Sequence, residues 1–406
     1  MFSWFKSKIP VSTDEARVEE LLTRGVVEVI QYDSLKKKLL SGRQLRVKLG
    51  IDPTSPNLHI GRAVPLLKLR DFQQLGHQVV LIVGDGTGVV GDTSDKDSER
   101  PMLTKADIKR NMATYFDQAG TILDMSRVEK RYNSEWLHKL GYEGIGAHAN
   151  EFSVADFIAR DNIKRRLDAG KRVSLREMLY PLMQGYDSVA IKADVELGGT
   201  DQRFNLLAGR VLQESFGQER QDILMTPLID GTDGRKMSSS WGNTVNLNES
   251  AHDMYAKIMK TNDDVMPMYF TNLTRLPMSE VSTVITGLEN GTANPLETKV
   301  RLAHAVVELF HDKHAADIAK EAFTKAFQHK EVPDDVPSTR AASDEMLVDV
   351  LLREGVVASK ADFRRLEAAG AITNMATQEK IKGINALAVP GVYKIGKHRF
   401  IEIVEK

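Results

Sequence analysis

The sequence predicts an α/β protein built on a doubly wound parallel sheet, followed by a helical domain and a small α+β domain. Apolar strand-like segments and periodic helix-like segments alternate through about the first 225 residues. One strand, QVVLIV at 78–83, is apolar and β-branched along almost its whole length, as in parallel strands covered on both faces. The alternation indicates a Rossmann-like sheet, whose ligands bind beyond the carboxyl ends of its strands.

The elements that support this prediction follow one another along the chain. RVKLGI at 46–51 is a short apolar strand. GRAVPLLKLRDFQQLG at 61–76 has helical periodicity and ends on a glycine, and the strand at 78–83 comes next. From about residue 250 to residue 330 the pattern is mainly helical.

Composition excludes several kinds of chemistry. Lys plus Arg number 55 and Asp plus Glu number 56, so any contact with nucleic acid must depend on local patches. The absence of cysteine excludes disulfides, thiolate zinc sites and cysteine nucleophiles.

The opening MFSWFKSKIP lacks the apolar run of a signal peptide, and no later stretch reaches the length of a membrane span. We expect a cytoplasmic protein without a membrane partner.

The length of 406 residues suits two to three domains. We expect a Rossmann-like domain at 1–245 and a helical domain at 246–330. Two prolines among polar residues indicate a linker at 331–343. Two helical stretches and a hairpin, GVYKIGKHRFIEIVE, predict a small domain at 344–406.

The first motif is LGIDPTSPNLHIGR at 49–62, which leaves a strand and enters a helix. The start of a helix offers unpaired N–H groups and a partial positive charge to an anion. Gly61 lets a ligand lie against the backbone, and His59 can donate to a phosphate oxygen whose charge grows in a transition state. Taken alone, the stretch is explained more simply as a surface turn with a capping histidine.

The second motif is DGTDGRKMSSSWGN at 230–243, a glycine-rich loop with Arg235 and Lys236 beside three serines. Its cations and hydroxyls suit a polyphosphate, although alone it would be a solvated loop. Together the two motifs resemble the signature pair of the class I aminoacyl-tRNA synthetases. These enzymes carry His-x-Gly-His in the first βα turn and a Lys-Met-Ser-Lys-Ser loop after the last strand.

The middle of the chain narrows the resemblance. YPLMQGYDS at 180–188 places Tyr180, Gln184 and Asp187 on one face of a helix among apolar residues, so some of these polar groups are expected to be buried and paired. ELGGTDQRFN at 196–205 brings two glycines to a strand end, before an aspartate suited to ribose hydroxyls. A glycine-rich turn at 84–96 contains Asp92.

With these motifs, the chain resembles the bacterial tyrosyl-tRNA synthetase family over essentially its whole length. The resemblance implies activation of tyrosine with ATP and transfer to the 3′-terminal adenosine of its tRNA. It also implies Mg²⁺ accompanying ATP, no protein-bound metal, and a homodimer. The implied tyrosine-binding residues are Lys48, Asp92, Tyr180, Gln184, Asp187 and Gln202.

Individual roles follow from the resemblance. Asp92, Tyr180 and Gln184 match positions that hold the α-amino group, and Asp187 matches the acceptor of the phenol hydroxyl. Gln202 matches a contact to the carboxyl end of the substrate. The residues implied to bind ATP are Asp52, Gly61, Gly199, Asp201, Lys236, Met237, Ser238 and Ser239. The implied catalytic groups, which act at the phosphates, are Thr54, His59, Arg62 and Lys236.

Three positions depart from the family pattern. Arg62 replaces the second histidine of the first motif, and an arginine can still reach a phosphate or ribose. Ser239 replaces a lysine of the loop, and Arg235 is a candidate to compensate for that lost cation. Lys48 stands where many members carry a tyrosine that contacts the phenol, and we expect Lys48 to donate to the phenol oxygen.

Residues 344–406 resemble a small RNA-binding fold named after a ribosomal small-subunit protein. The segment has ten Lys plus Arg against nine Asp plus Glu, so it is not strongly basic. RNA contact is therefore expected from local clusters, at Lys360, Arg364 and Arg365 and at 394–399.

Other functions are compatible with parts of the pattern. A tryptophanyl-tRNA synthetase shares the scaffold but normally lacks the C-terminal module. A nucleotidylyltransferase shares the His-x-Gly turn but has no need of the polar helix face at 180–187. A non-catalytic RNA-binding paralogue would explain Arg62 and Ser239.

Overall fold

The computed structural model describes residues 10–94, 98–329, 336–342, 344–375, 377, 379–396 and 399–405. They form two compact units, Met1–Ala319 and Lys320–Lys406, whose boundary falls within a helix. Within the described residues, no helix is both long and apolar enough to cross a membrane.

The first unit contains a six-stranded sheet of order β1-β6-β5-β2-β3-β4. Its strands are β1 (Glu28–Ile30), β2 (Arg46–Ile51), β3 (Gln78–Val83), β4 (Val128–Tyr132), β5 (Val195–Gly199) and β6 (Asp222–Thr226). All neighbours are parallel except β1, which is antiparallel to β6. From β2 the chain builds outward on one side to β3 and β4, and later on the other side to β5 and β6. The switch point therefore lies between β2 and β5, where doubly wound sheets bind ligands.

Helices cover this sheet and continue beyond it. The α-helices are α1 (Glu15–Thr23), α2 (Tyr32–Leu40), α3 (Ile60–Gln74), α4 (Thr87–Val90), α5 (Lys105–Met112), α6 (Tyr115–Ala119), α7 (Ser134–Leu137), α8 (Tyr142–Asn150), α9 (Val154–Ile158), α10 (Asp161–Asp168), α11 (Leu175–Ile191), α12 (Arg203–Ser215), α13 (Ala251–Met259), α14 (Met266–Leu273), α15 (Met278–Glu289), α16 (Pro295–Phe310) and α17 (Lys313–His329). The unit boundary lies in α17, so α13 to α16 share one compact unit with the sheet.

Helices α11 and α12 approach each other unusually closely. Helix α11 begins with a capping box in which Ser174 and Glu177 exchange hydrogen bonds with backbone N–H groups. At Gly185, in its middle, an added Cβ would lie 3.0 Å from the main-chain carbon of Ala208 on α12. Glycine is therefore needed here for close packing. This contact sets the spacing of two helices that border the functional site.

The second unit contains a five-stranded sheet of order β7-β11-β10-β8-β9. Its strands are β7 (Ser338–Ala341), β8 (Ile372–Asn374), β9 (Glu379–Lys380), β10 (Gly391–Ile395) and β11 (Arg399–Glu405), and its helices are α18 (Leu347–Arg353) and α19 (Lys360–Ala368). Strand β7 is parallel to β11 and the other pairs are antiparallel. Leu351, Phe363 and Tyr393 belong to its apolar core.

Two predictions for this region can be compared with the structure. The hairpin is confirmed, because β10 and β11 pair in antiparallel register from Gly391 to Ile403. The predicted linker at 331–343 differs, because residues 338–341 form β7. This strand is short and largely polar, with two of its four residues exposed, so it has no apolar alternation that would distinguish it from a loop. Residues 331–335 and 343 lie outside the described residues.

Candidate active site

A cavity of about 810 Å³ opens in the first unit at the carboxyl ends of β2 and β5. It gathers all but one of the residues predicted for catalysis, tyrosine binding and ATP binding. These lining residues are Asp52, Thr54, His59, Gly61, Arg62, Asp92, Tyr180, Gln184, Asp187, Gly199, Asp201, Gln202, Lys236, Met237, Ser238 and Ser239. The exception is Lys48.

The first motif forms one wall of the cavity at the start of α3. His59 is the N-cap of this helix and is buried, and its Nδ1 has no hydrogen-bond partner within the described residues. Burial lowers the pKa of His59 to about 3, helped by the positive charges of Arg62 and Lys236. An added Cβ at Gly61 would lie 3.0 Å from His59 Nδ1, so glycine leaves room for the imidazole. The ring is therefore neutral near pH 7 and acts as a hydrogen-bonding group.

The two altered motif positions have defined contacts. Arg62 donates to the main-chain oxygen of Asp52 at 3.1 Å and to Thr54 Oγ1 at 3.0 Å. These contacts hold a guanidinium group, with further N–H donors, at the cavity wall. Ser239 Oγ lies 3.2 Å from Ser55 Oγ, which links the loop to the first motif.

The loop that follows β6 presents its lysine to the cavity and turns its arginine away. Lys236 Nζ lies 3.0 Å from Asp201 Oδ2, the carboxylate predicted to bind ribose. Asn243 anchors the loop by accepting from the Ser238 N–H at 2.9 Å. Arg235 pairs with Asp233 and lies over the Trp241 ring at 4.8 Å. The cation that Ser239 lacks is therefore not supplied by Arg235, because this side chain is held outside the cavity lining.

A buried carboxylate lies at the other end of the cavity. Asp187 accepts from Trp136 Nε1 at 2.8 Å and from Asn133 Nδ2 at 3.3 Å. Burial raises the pKa of Asp187 to about 7, against the positive charge of Lys48. The sequence pattern did not reveal Trp136 or Asn133, because both lie beyond β4 and carry no local motif.

A second carboxylate, Asp52, lies at the end of β2. Its Oδ2 accepts from the Tyr180 hydroxyl at 2.9 Å and its Oδ1 accepts from Thr87 Oγ1 at 2.7 Å. Burial raises the pKa of Asp52 to about 6, and burial together with Asp52 also raises that of Tyr180. The Tyr180 proton is thus directed at Asp52, which leaves the phenol oxygen as an acceptor.

The predicted partners Asp92 and Gln202 are in direct contact. Gln202 Nε2 donates to Asp92 Oδ2 at 2.7 Å, and Ser94 donates to both carboxylate oxygens through its N–H and its hydroxyl. Behind them, Thr93 Oγ1 donates to the buried Glu177 at 2.6 Å, and Glu177 pairs with the buried Arg166. This ion pair anchors the Asp92 turn and was not predicted.

Lys48 does not occupy the place expected for it. Its side chain is fully buried, and Nζ donates to Glu196 Oε1 at 2.9 Å, Ser188 Oγ at 2.8 Å and the Gln184 main-chain oxygen at 2.9 Å. An ammonium group has three protons, so none is left to donate to a phenol in the cavity. The expected direct contact is therefore corrected: Glu196, beside Lys48 on β5, draws the ammonium group away from the ligand space.

The three residues predicted to bind RNA lie together on α19 of the second unit. Lys360 pairs with Asp349 at 3.1 Å and Arg365 pairs with Asp362 at 2.6 Å. Arg364 is exposed. These pairs are at the surface, where ion pairs contribute little and exchange readily with other anions.

Comparison with known proteins agrees with this geometry. Residues 40–328 match the family model described as class I tRNA synthetases (W and Y). The chain is 41% identical to a tyrosine–tRNA ligase of Carboxydothermus hydrogenoformans, over 95% of this chain and 97% of the relative. It is 41% identical to that of Thermotoga maritima, over 96% and 98%. It is 42% identical to tyrosine–tRNA ligase 2 of Vibrio cholerae, over 97% and 99%.

Solved structures share the fold. A C-terminally truncated mitochondrial tyrosyl-tRNA synthetase of Aspergillus nidulans has a TM-score of 0.64 at 23% identity, over 77% of this chain and 94% of that one. Tyrosyl-tRNA synthetase of Archaeoglobus fulgidus, complexed with L-tyrosine, has a TM-score of 0.60 at 21% identity, over 76% and 100%.

The sheet, the cavity at its switch point and the matched family model define a class I aminoacyl-tRNA synthetase. Identities of 41 to 42% over nearly the full length of the chain are decisive within that class. The chain belongs to the tyrosyl-tRNA synthetase family. A tryptophanyl-tRNA synthetase and a non-catalytic paralogue, which the sequence alone left open, are not favoured.

Proposed function

We propose that this chain is a tyrosine–tRNA ligase, which forms tyrosyl-adenylate from tyrosine and ATP and then charges its tRNA. The observation that carries this proposal is one cavity lined both by the two sequence motifs, whose groups suit phosphates, and by the buried Asp187, which suits a phenol hydroxyl. A nucleotidylyltransferase has no need of a buried acceptor paired with Trp136 and Asn133.

In the first step, the tyrosine carboxylate attacks the α-phosphate of ATP and pyrophosphate leaves. The reaction needs no protein nucleophile, because positioning and electrostatic stabilisation supply the catalysis. His59 donates a hydrogen bond to the departing phosphates from the neutral ring, and Lys236 and Arg62 supply positive charge. Thr54 lies beside Arg62 and orients it.

Mg²⁺ enters with ATP as the substrate MgATP, held mainly by the phosphate oxygens. Within the described residues, His, Cys, Asp and Glu side chains form no cluster of three or more that suits a metal ion. The groups near the proposed phosphate position are instead cations and hydroxyls, which fit the outer phosphate oxygens.

The tyrosine end recognises both parts of the amino acid. Asp187 accepts from the phenol hydroxyl, while Asp92, Tyr180 and Gln184 bind the α-ammonium group. Gln202, which is hydrogen-bonded to Asp92, contacts the carboxyl end of the substrate.

The adenosine is held beside these groups. Gly199 leaves space at the end of β5, and Asp201 binds the ribose. A ribose on Asp201 competes with Lys236 for the same carboxylate, so nucleotide binding weakens this ion pair. Asp52, Gly61, Met237, Ser238 and Ser239 complete the ATP site.

Arg62 compensates for the missing second lysine of the loop. Compared with the family pattern, Ser239 removes a cation from the loop and Arg62 adds one at the start of α3. The charge available to the phosphates is thereby retained, although its source is the start of α3 instead of the loop at 230–243.

We also place the protein in the cytoplasm as a homodimer, with residues 1–245 as the catalytic domain and 246–330 as the helical domain. Tyr142, Leu175 and Val154 support a dimer interface along α8 to α11, because these large apolar side chains are 96, 86 and 75% exposed. After adenylate formation, a ribose hydroxyl of the terminal adenosine of the tRNA attacks the activated carbonyl, the bond from this carbonyl to the phosphate breaks, and AMP leaves. The unit that carries α19 contributes tRNA affinity through Lys360, Arg364 and Arg365.

The test is ATP–pyrophosphate exchange with tyrosine, phenylalanine and tryptophan in turn. Exchange that depends on tyrosine is the expected result. Exchange with tryptophan alone would overturn the substrate assignment, and no exchange with any of the three would support a non-catalytic role.

A further inference from the structure

A buried network of charged and polar side chains lies beside the tyrosine end of the cavity. Lys48 and Glu196 are register partners on the neighbouring parallel strands β2 and β5. Their side chains are 0 and 1% exposed, and Lys48 Nζ lies 2.9 Å from Glu196 Oε1. Burial of two charges is costly unless the surrounding donors and acceptors are matched to them, so the other partners of this pair are informative.

The ion pair satisfies all of its own hydrogen-bonding groups. Besides Glu196, the Lys48 ammonium reaches Ser188 Oγ and the main-chain oxygen of Gln184. The Glu196 carboxylate also accepts from Ser188 Oγ at 2.9 Å, Gln221 Nε2 at 2.5 Å and Gln184 Nε2 at 3.3 Å. Gln184 is therefore bound twice, to Lys48 through its main chain and to Glu196 through its side chain.

The chemistry of Glu196 determines which end of the Gln184 amide is directed at it. A carboxylate has only acceptors, so the facing group must be the amide NH₂. The amide oxygen of Gln184 makes no hydrogen bond within the part of the chain that the structure describes, and the residue lines the cavity. This oxygen is the end of the amide that can accept from an ammonium group, which has donors only.

We propose that Lys48 and Glu196 are positioning residues that lock the Gln184 amide with its oxygen toward the cavity, ready to accept from the α-ammonium group of the substrate. The proposal rests on the proposed function, which assigns that group of tyrosine to Gln184. Neither member of the ion pair lines the cavity, so both act through Gln184.

The experiment compares two ligands that differ only in the ammonium group. Binding of tyrosine and of 3-(4-hydroxyphenyl)propionate is measured by calorimetry for the parent and for the variant Lys48→Met/Glu196→Gln. In this variant residue 196 can present either a donor or an acceptor, so the Gln184 amide is free to rotate. We expect tyrosine to bind about 10- to 100-fold more weakly, the scale of one hydrogen bond to a charged group. The deamino analogue should keep its parental affinity.

A further variant tests the orientation directly. Adding Gln184→Glu to the double variant exchanges the amide and the carboxylate between positions 184 and 196. A carboxylate at 184 presents an oxygen to the ammonium group in either rotamer, so tyrosine affinity should return to within a few-fold of the parent. A role in packing alone predicts no such recovery.

Lys68→Met is the matched control, because Lys68 is also a buried lysine, and it binds the main-chain oxygens of Leu21 and Arg24 outside the cavity lining. It should leave both affinities unchanged. Equal weakening of both ligands by the double variant, or no weakening of either, would overturn the inference. If the double variant does not fold, Lys48→Leu/Glu196→Gln is compared in the same way, because Lys48 must also be replaced for residue 196 to turn its amide. Failure of the proposed function shows separately, as a parent that does not exchange pyrophosphate with tyrosine.

Discussion

The replacement Asp187→Asn tests how the protein distinguishes tyrosine from phenylalanine. The new amide keeps an oxygen that can accept from the Trp136 N–H. Its NH₂ group, however, faces Asn133 Nδ2, from which the parental carboxylate accepts a hydrogen bond. We expect the variant to lose most of its activity toward tyrosine while its activity toward phenylalanine changes little. The reason is that only tyrosine brings a hydroxyl to this buried acceptor.

The magnitude follows from the contacts. The carboxylate has about four acceptor positions, of which Trp136 and Asn133 use two, so it retains capacity for a phenol hydroxyl. One hydrogen bond to a charged group contributes about 1.5–3 kcal/mol, and leaving the buried group unmatched costs a further 1–3 kcal/mol, roughly. The preference for tyrosine should therefore fall by a factor of about 100 to 10,000.

The assay is pyrophosphate exchange, with kcat/KM measured for both amino acids in the parent and the variant. Asp92→Asn is the control, because a group that binds the shared α-ammonium group should weaken both substrates equally. If Asp187→Asn retains the parental preference for tyrosine, the phenol does not lie against Asp187 and the assigned orientation of the substrate is wrong.

Three further outcomes follow from the same site. His59→Ala and Lys236→Ala should each slow adenylate formation by about 10- to 1,000-fold in single-turnover experiments, with tyrosine binding unchanged; parental rates would remove these residues from the mechanism. Tyrosine binding should strengthen between pH 6 and pH 8, because Asp187, whose pKa is raised to about 7, becomes the better acceptor as it loses its proton; a flat profile that matches Asp187→Asn would contradict this. A chain that ends at His329 should retain pyrophosphate exchange but charge tRNA more weakly at moderate salt, and equal charging would exclude RNA binding by the second unit.

The sequence predicted those parts of the site where the residue type and its position in a helix or turn together indicate the direction of the side chain. Asp52 and His59 follow a strand, and Tyr180, Gln184 and Asp187 recur on one face of a helix. In each case the local period or the turn chemistry determines the direction of the side chain. The structure accordingly brings these residues to one cavity.

Partners separated in the chain could not be predicted in this way. Lys48 and Glu196 are 148 positions apart, and each occurs in a short strand where a buried charged residue cannot be distinguished from a solvent-facing one. The predicted role of Lys48 was wrong for this reason. Its partner Glu196 could not be identified from the sequence, so the ammonium group was expected to contact the ligand. The buried ion pair between Arg166 and Glu177 was not predicted for a similar reason. Two residues at the same separation in sequence can equally form a salt bridge at the surface.

The close contact at Gly185 restricts how this protein could acquire a different amino-acid preference. Helix α11 carries Gln184 and Asp187, and Gln202 directly precedes α12, so the two packed helices set the width of the amino-acid site. A Cβ at Gly185 would lie only 3.0 Å from the Ala208 backbone, so this helix spacing leaves no room for a larger residue at 185. Any side chain at 185 would force them apart and loosen both ends of the site at once. A change of amino-acid preference is therefore expected to come from replacement of the side chains that line the site, while the spacing of α11 and α12 stays the same.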